Sequence, residues 1–188
     1  PLTQRVRAIP RKRFDRPLLG HLNRDEIEAI LAAPDTTDWS GCQDRAMFTV
    51  MYNTGARVSE AIGLCRGDIT IGPSASVRIH GKGRKDRSVP LWKATTKLMN
   101  NWLTEIALGD QTPLFPNRHG HPLSRSGVED RLDRAVLAAT IRCPSLRKKN
   151  VSPHTLRMGS AYCYTLLRMA YFQRNSPWSA DVLGSWRP

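Results

Sequence analysis

Four basic side chains in this sequence have the chemistry that a phosphate group requires. They are Arg57, Lys82, His154 and Arg157. Two guanidinium groups can bind the non-bridging oxygens of one phosphate, while a lysine and a histidine can move protons to and from its bridging oxygens. Together they could catalyse phosphoryl transfer on side chains alone. The chain must then fold so that residues about 100 positions apart meet on one positively charged, concave surface, and we predict that they do.

Both arginines and the histidine lie at predicted helix boundaries. Arg57 follows Thr54-Gly55, which predicts that one helix ends just before the next begins. Ser152-Pro153 supplies an N-cap and a first-turn proline, so a helix is predicted to start there and to carry His154 and Arg157 on one face. A single surface arginine or a lone histidine is more often structural, so these positions are informative only as a set.

Lys82 lies between two glycines in a region of short β-type runs. The runs are Ile69–Ile71, Ser76–His80 and Arg87–Pro90. They predict a small three-stranded antiparallel sheet with Lys82 at a hairpin tip, from which its long side chain can swing toward a bound backbone. Taken alone, Gly-Lys-Gly usually marks a solvated turn.

Helical periodicity dominates the rest of the chain. Helices are predicted after Asn23, from about Gly41 to Asn53, from Val58 to Leu64, through residues 98–106, through residues 128–139 behind a Ser126/Glu129 capping box, and from Ser152. The fold class is therefore mainly α (α+β), with the small sheet at one edge of a helical domain. Residues 1–17 are predicted to form a basic linker or arm, and residues 18–188 the domain.

The charge balance indicates a polyanionic partner. Lysine and arginine total 29 against 16 acidic residues, giving a net charge of +13. This excess favours nucleic acid, although a merely well-solvated basic surface is the alternative. No apolar run approaches the length of a spanning helix and the start lacks a secretion signal, so we predict a cytoplasmic protein without a membrane partner.

The cysteines give no indication of a metal site. Cys42, Cys65, Cys143 and Cys163 are irregularly spaced, without a Cys-x-x-Cys pair or histidines at zinc-ligand intervals. We predict reduced cysteines, no metal and no cofactor.

Three ordered segments resemble the conserved boxes of tyrosine recombinases, the phage integrase family. Residues 53–60, Asn-Thr-Gly-Ala-Arg-Val-Ser-Glu, resemble the first box, residues 80–90 resemble the catalytic-lysine hairpin, and residues 152–157, Ser-Pro-His-Thr-Leu-Arg, resemble the second box. The resemblance covers roughly residues 18–157 and implies an integrase-like catalytic domain. It fades from Met158 onward, where Leu183-Gly184 is followed by Ser185 and Trp186 comes one place late.

The resemblance also implies a role for each residue. Arg57 and Arg157 would hold the scissile phosphate, Lys82 would protonate the departing 5′ oxygen, and His154 would assist proton transfer. Glu60 would support Arg57. The basic residues after the lysine are expected to bind DNA, namely Arg84, Lys85 and Arg87. The implied partner is duplex DNA, with a homo-oligomer on that DNA. The implied activity is site-specific recombination or integration, as in mobile genetic elements, through a phosphotyrosine link that needs no cofactor.

We identify no nucleophile in this sequence. The family's tyrosine lies roughly thirty residues beyond the second-box arginine, on a separate helix. Tyr162, Tyr164 and Tyr171 are predicted to continue the helix of Arg157, which puts Tyr164 about 10 Å and Tyr171 about 21 Å along its axis. We therefore expect a catalytic domain truncated at its C-terminus and inactive alone.

Several alternatives stay open. The chain could be a fragment, a frame-shifted remnant, or a non-cleaving DNA-binding regulator of the same family. A type IB topoisomerase would share the catalytic groups, whereas a basic RNA-binding protein would not explain the three boxes. The coding DNA downstream of codon 157 would discriminate, because a damaged recombinase gene would encode Leu-Gly-His and a tyrosine in another frame.

Overall fold

The structure, a computed structural model, describes residues 22–81, 83 and 85–157. Several positions discussed above lie outside these residues, namely the predicted arm at residues 1–17, Lys82, Arg84 and every residue after Arg157, which includes Cys163. The elements in chain order are α1 (Arg24–Ala32), α2 (Trp39–Thr54), α3 (Val58–Ile62), β1 (Ile69–Thr70), β2 (Ser76–Gly81), β3 (Lys85–Pro90), α4 (Lys93–Thr104) and α5 (Arg125–Ala139). The prediction of a mainly helical fold with a small three-stranded antiparallel sheet is confirmed.

The predicted boundaries of the first three helices agree closely with the structure, because local capping chemistry determines them. Asn23 caps α1 in a reciprocal capping box, its side chain accepting from the backbone N–H of Glu26 and its own N–H donating to the Glu26 carboxylate, each at 2.8 Å. Helix α2 begins two residues earlier than predicted, at Trp39, and ends at Gly55, whose φ of 62° is left-handed. Helix α3 then starts at Val58, as predicted.

The prediction for the start of α5 was wrong. Ser124, not Ser126, is the N-cap: its backbone is extended and its hydroxyl accepts from the N–H of Gly127 at 3.0 Å. Ser126 already lies inside the helix. Glu129 is therefore too far along to close a capping box, and its carboxylate accepts instead from Arg125 at 3.0 Å. Helix α4 also starts earlier than its apolar spacing indicated, at Lys93.

The sheet has one face against the body of the domain. Val77 and Ile79 on β2 are fully buried, and in the antiparallel register they pair with Val89 and Arg87 on β3. Because directly paired residues point to the same side, Arg87 lies on the inner face. His80 pairs with Asp86 on the outer face.

One hydrophobic core joins the helices and the sheet. Helix α2 runs through it, packing against α4 on one side and contacting α1, α3 and α5 elsewhere. The hydrophobic core includes fully buried side chains from every part of the described chain, among them Ile30, Phe48, Ile79, Met99, Leu132 and Leu156. No helix in the described ranges is long and apolar enough to cross a membrane. Cys42, Cys65 and Cys143 are free thiols.

A mostly buried polar cluster ties α5 to the start of α2. Arg131 Nη1 donates to Asp44 Oδ1 at 2.6 Å, to Gln43 Oε1 at 2.9 Å and to Ser40 Oγ at 3.2 Å. We call these four residues the Asp44 cluster. Burial raises the pKa of Asp44 more than the hydrogen bond and charge of Arg131 lower it.

Candidate nucleic-acid interface

Arg57 is held at the junction between α2 and α3. It is the N-cap residue of α3, with an extended backbone, and its side chain remains 55% exposed. One of its terminal nitrogens, Nη1, donates to Glu60 Oε1 at 2.8 Å, and its backbone N–H donates to Glu60 Oε2 at 2.9 Å. The carboxylate therefore fixes Arg57 at two points and leaves much of the guanidinium open to solvent.

Glu60 is buried and carries a second arginine. Its side chain is only 5% exposed, and Oε2 also accepts from Arg87 Nη2 at 2.7 Å. Burial would raise the pKa of Glu60, but hydrogen bonds from Arg87 and from the backbone and side chain of Arg57 outweigh it and lower the pKa to about 2. Glu60 is thus a carboxylate at neutral pH. We call Arg57, Glu60 and Arg87 the Glu60 cluster.

The β2–β3 hairpin approaches Arg57 through this cluster. Its turn includes Gly83, whose φ of 80° favours glycine. The strands pair up to Gly81 opposite Lys85, and Lys85 is exposed. Lys82 and Arg84 lie outside the described residues. Of the three residues expected to bind DNA, Lys85 is open to solvent, while Arg87 already has a carboxylate partner.

A second polar network fastens the outer face of the hairpin. His80 Nε2 lies 2.9 Å from Asp68 Oδ1 and His80 Nδ1 lies 2.9 Å from Asp86 Oδ1. Asp68 is buried, and its other oxygen accepts from the backbone N–H of Cys65 at 2.9 Å. Hydrogen bonds to Asp68 and Asp86 raise the pKa of His80. No pattern in the sequence predicted this network.

The second-box residues begin a helix as predicted. Residues 153–157 are helical, and the Ser152 hydroxyl accepts from the N–H of Thr155 at 3.3 Å. His154 is exposed and Arg157 is partly exposed, whereas Leu156 between them is fully buried. Neither basic side chain has a hydrogen-bond partner among the described residues. Their helix is therefore anchored by its apolar side and presents basic groups on the other.

A buried carboxylate positions the segment that leads into this helix. Glu26 on α1 is 1% exposed and accepts from the Ser145 hydroxyl and from Lys149 Nζ, each at 2.6 Å. Burial would raise the pKa of Glu26, but the hydrogen bonds from Lys149, Ser145 and Asn23 prevail and lower it. The segment before Ser152 is consequently tied to α1.

The structure brings part of the predicted set together directly. Arg57 and Glu60 share contacts with the hairpin through Arg87, and His154 and Arg157 share one helical turn. The two groups make no hydrogen bond to each other in the described part of the chain. Both flank the same core, since Ala56 next to Arg57 and Leu156 next to Arg157 are each 0% exposed members of it. Their convergence on one phosphate stays a prediction.

Comparison with known proteins identifies the family. The sequence model described as the phage integrase family matches residues 21–170. The chain belongs to that family. The match includes all three boxes, so the assignment covers the residues that carry the proposed chemistry.

Curated relatives of the chain are named as integrases or recombinases. An integrase/recombinase of Sinorhizobium fredii is 47% identical over 82% of this chain and 46% of its own length. Tyrosine recombinase XerD of Lacticaseibacillus casei is 35% identical over 81% of this chain and 53% of that protein. The chain spans about half the length of the curated relatives that it matches.

Solved structures agree with the family assignment. The XerH site-specific recombinase bound to a palindromic difH substrate, in a post-cleavage complex, is 26% identical with a TM-score of 0.67, covering 84% of this chain and 46% of that one. The lambda integrase catalytic core has a TM-score of 0.60 at 22% identity, covering 78% of this chain and 87% of that one. The second likeness shows a shared fold.

Proposed function

We propose that this chain binds duplex DNA and supplies the phosphate-binding site of a site-specific recombinase. The observation that carries the proposal is the state of Arg57, which is fixed by a buried carboxylate yet 55% exposed. A guanidinium that is oriented but not covered is ready for an external anion, and a DNA phosphate is the anion that the net charge of +13 favours. The DNA-bound XerH structure supports the same partner.

In the proposed reaction, Arg57 and Arg157 bind the non-bridging oxygens of the scissile phosphate. A tyrosine hydroxyl attacks phosphorus and forms a 3′-phosphotyrosyl bond as the bond to the 5′ oxygen breaks. Lys82 gives that oxygen its proton, and His154 assists the transfer of the proton that the tyrosine hydroxyl loses. Rejoining reverses the steps with a second 5′ hydroxyl, so the bond energy is conserved. Glu60 acts through Arg57 rather than on the DNA, and a homo-oligomer on DNA would bring two strands together.

We propose further that the 188-residue chain does not itself supply the nucleophile. Tyr52 is partly buried and packs edge-on against Trp92, with ring centroids 5.6 Å apart. The other tyrosines lie outside the described residues, and on the helix predicted from the sequence their spacing from Arg157 argues against attack on a phosphate held there. Attack needs an in-line oxygen about 3 Å from phosphorus, and small misplacements cost on the order of a hundredfold.

The test of DNA binding is a mobility-shift titration at several salt concentrations. Each neutralised phosphate should contribute about 0.9 to the slope of log affinity against log salt, so binding should weaken steeply. The double variant Arg57→Ala/Arg157→Ala should lower both affinity and slope. A flat salt response in the unmodified chain would contradict the proposal.

The test of chemistry uses a nicked suicide substrate and denaturing electrophoresis. We expect no protein joined to the DNA 3′ end, while a complete relative with its distal tyrosine forms the adduct on the same substrate. An adduct with this chain that a Tyr→Phe change at 162, 164 or 171 abolishes would overturn the view of the nucleophile and identify it.

The second candidate function is occupation of DNA sites without cleavage. It shares the phosphate-binding surface and differs in that no tyrosine from another protein attacks the phosphate bound there. Adding the chain to a complete relative would distinguish the two, because a non-cleaving regulator lowers the relative's recombination, whereas a catalytic part restores recombination to a phosphate-site variant of it.

A further inference from the structure

We propose that Arg87 is a positioning residue that couples the β2–β3 hairpin to Arg57 through Glu60. The inference rests on the function proposed above and gives Arg87 a task other than touching DNA. Arg87 would then orient a contact to the phosphate without making one itself.

The face on which Arg87 lies is the first argument. Arg87 pairs directly with Ile79, which is fully buried, and the next inner pair is Val89 with Val77. An inward-facing position beside such residues normally takes an apolar side chain. A guanidinium there costs free energy unless a carboxylate compensates it, and Glu60 does so at 2.7 Å. Lys85, by contrast, is exposed near the turn.

The sharing of Glu60 is the second argument. Its Oε1 accepts from Arg57 Nη1 at 2.8 Å and lies 3.4 Å from Arg87 Nη1, while its Oε2 accepts from Arg87 Nη2 and from the Arg57 backbone N–H. A displacement of Arg87 must therefore move the carboxylate that orients Arg57. Two arginines on one carboxylate also leave a net positive charge beside the exposed guanidinium, which favours a phosphate.

The position of Arg87 in the hairpin is the third argument. Strand pairing holds Gly81 opposite Lys85, so the segment that contains Lys82 is the connection between the two strands. Arg87 is the inward-facing ionic contact nearest to that connection among the described residues. Fixing Arg87 to Glu60 thus fixes the base of the hairpin relative to Arg57, at the site where the lysine and the arginine are proposed to act on one phosphate.

A double-mutant cycle in DNA binding tests the coupling. We expect Arg57→Ala to weaken binding about tenfold and Arg87→Ala to weaken it three- to tenfold, because Arg57 loses its orientation. The double variant should bind no more weakly than Arg57→Ala alone. The matched control is Lys85→Ala, which removes the same charge from the same strand and should add its full effect to that of Arg57→Ala. Full additivity for Arg87→Ala would overturn the proposal in favour of a direct DNA contact.

A readout without DNA separates this inference from the proposed function. In nitrogen-15 NMR spectra, the Arg57 Nε–Hε group should become more mobile in Arg87→Ala. In carbon-13 spectra, the Glu60 carboxyl of that variant should titrate at a higher pH than in the unmodified chain. Arg87→Lys, which keeps the charge with fewer donors, should give intermediate values and serves if Arg87→Ala does not fold. Unchanged Arg57 and Glu60 signals in a folded Arg87 variant would overturn the inference. If neither the unmodified chain nor any variant binds DNA, the proposed function is wrong, and these spectra alone decide whether Arg87 positions Arg57.

Discussion

The Asp44 cluster and the Glu60 cluster each join a carboxylate to arginine, and they differ in which of these side chains is exposed to solvent. Arg131 is 16% exposed beside an Asp44 that is 14% exposed, and one of its nitrogens, Nη1, serves three acceptors. Glu60 is 5% exposed, but its arginines Arg57 and Arg87 are 55% and 38% exposed. The Asp44 cluster is closed, in that its arginine and its carboxylate are both mostly buried. In the Glu60 cluster the carboxylate is buried, while both arginines are partly exposed to solvent.

The pKa values of the two carboxylates show the same difference. Asp44 has one close arginine, and its burial prevails, so its pKa is raised. Glu60 is also buried, yet two arginines and a backbone N–H lower its pKa to about 2. Burial of a carboxylate therefore does not distinguish a structural ion pair from a binding site. The two clusters differ in the exposure of the cationic partner, and the consequence of this difference can be tested by mutation.

The largest effect is expected on stability, at Asp44. Asp44→Ala leaves Arg131 mostly buried without its anion, which should lower the free energy of unfolding by about 3 kcal/mol. Urea denaturation followed by circular dichroism measures it. Asp133→Ala removes an exposed carboxylate from the same helix as Arg131 and should change stability by less than about 0.5 kcal/mol. Equal effects at the two positions would contradict the closed character of the Asp44 cluster.

The next effect separates binding from stability. Arg57→Ala should reduce DNA affinity about tenfold, which is the lower end expected for a charge-assisted contact to a phosphate, about 1.5 kcal/mol, because Arg57 is more than half exposed; it should change stability little. Arg131→Ala should do the reverse, lowering stability while the folded variant keeps its DNA affinity. Fluorescence anisotropy with a labelled duplex and urea denaturation provide both numbers. If both substitutions lower DNA affinity, or both lower the free energy of unfolding, the distinction between the two clusters is wrong.

Features that depend on neighbouring residues were predictable from the sequence. The caps at Asn23 and Ser152, the helix end at Gly55 and the start of α3 at Val58 each follow from side chains within about three residues. The start of α5 failed for a local reason as well. Two serines competed for one cap, and the apolar spacing from Val128 onward did not reveal that the helix already includes Arg125.

Features that depend on strand register and distant partners were not predicted. The expectation that Arg87 binds DNA came with the resemblance of the lysine hairpin, and it stays a prediction. The ion pair of Arg87 with Glu60 was not predicted, because it depends on the strand register, in which Arg87 pairs with the buried Ile79. The side chains that donate to Glu26 and Asp44 lie 87 to 123 residues away in sequence, so no local pattern could identify them.

A smaller effect concerns pH, with opposite signs for the two carboxylates. The lowered pKa of Glu60 contributes stability that is fully present above its ordinary value of 4.5 and is lost as pH falls toward 2. The raised pKa of Asp44 contributes stability that is present below its ordinary value of 3.8 and is lost as pH rises through the folded value. Unfolding free energies of the unmodified chain, Glu60→Gln and Asp44→Asn between pH 2.5 and 7 test both signs. As pH falls, the unfolding free energy of the unmodified chain should exceed that of Glu60→Gln by less. Its difference from Asp44→Asn should change in favour of the unmodified chain.

The smallest effect is expected at His80, which extends the comparison to the outer face of the hairpin. Its side chain is 49% exposed and bonds to a buried Asp68 and a half-exposed Asp86. Hydrogen bonds to both carboxylates raise the pKa of His80, so its contribution is fully present below the ordinary value of 6.5 and is lost as pH rises through the folded value. Since partial exposure screens the pairs, the loss should open the hairpin locally without unfolding the domain.

Amide hydrogen exchange at residues 79–81, corrected for the intrinsic dependence on pH, measures this opening. Protection in the hairpin should decline between pH 6 and pH 8.5, and His80→Gln should abolish the decline. His121→Gln is the matched control, because His121 is exposed in a loop outside the sheet and its substitution should leave the decline intact. The imidazole proton signals of His80 should also titrate above pH 6.5. A His80 that titrates at or below 6.5, or a decline that survives His80→Gln, would show that the contacts of His80 do not hold the hairpin. The proposed coupling of the hairpin to Arg57 would then rest on the Arg87–Glu60 contact without support from His80.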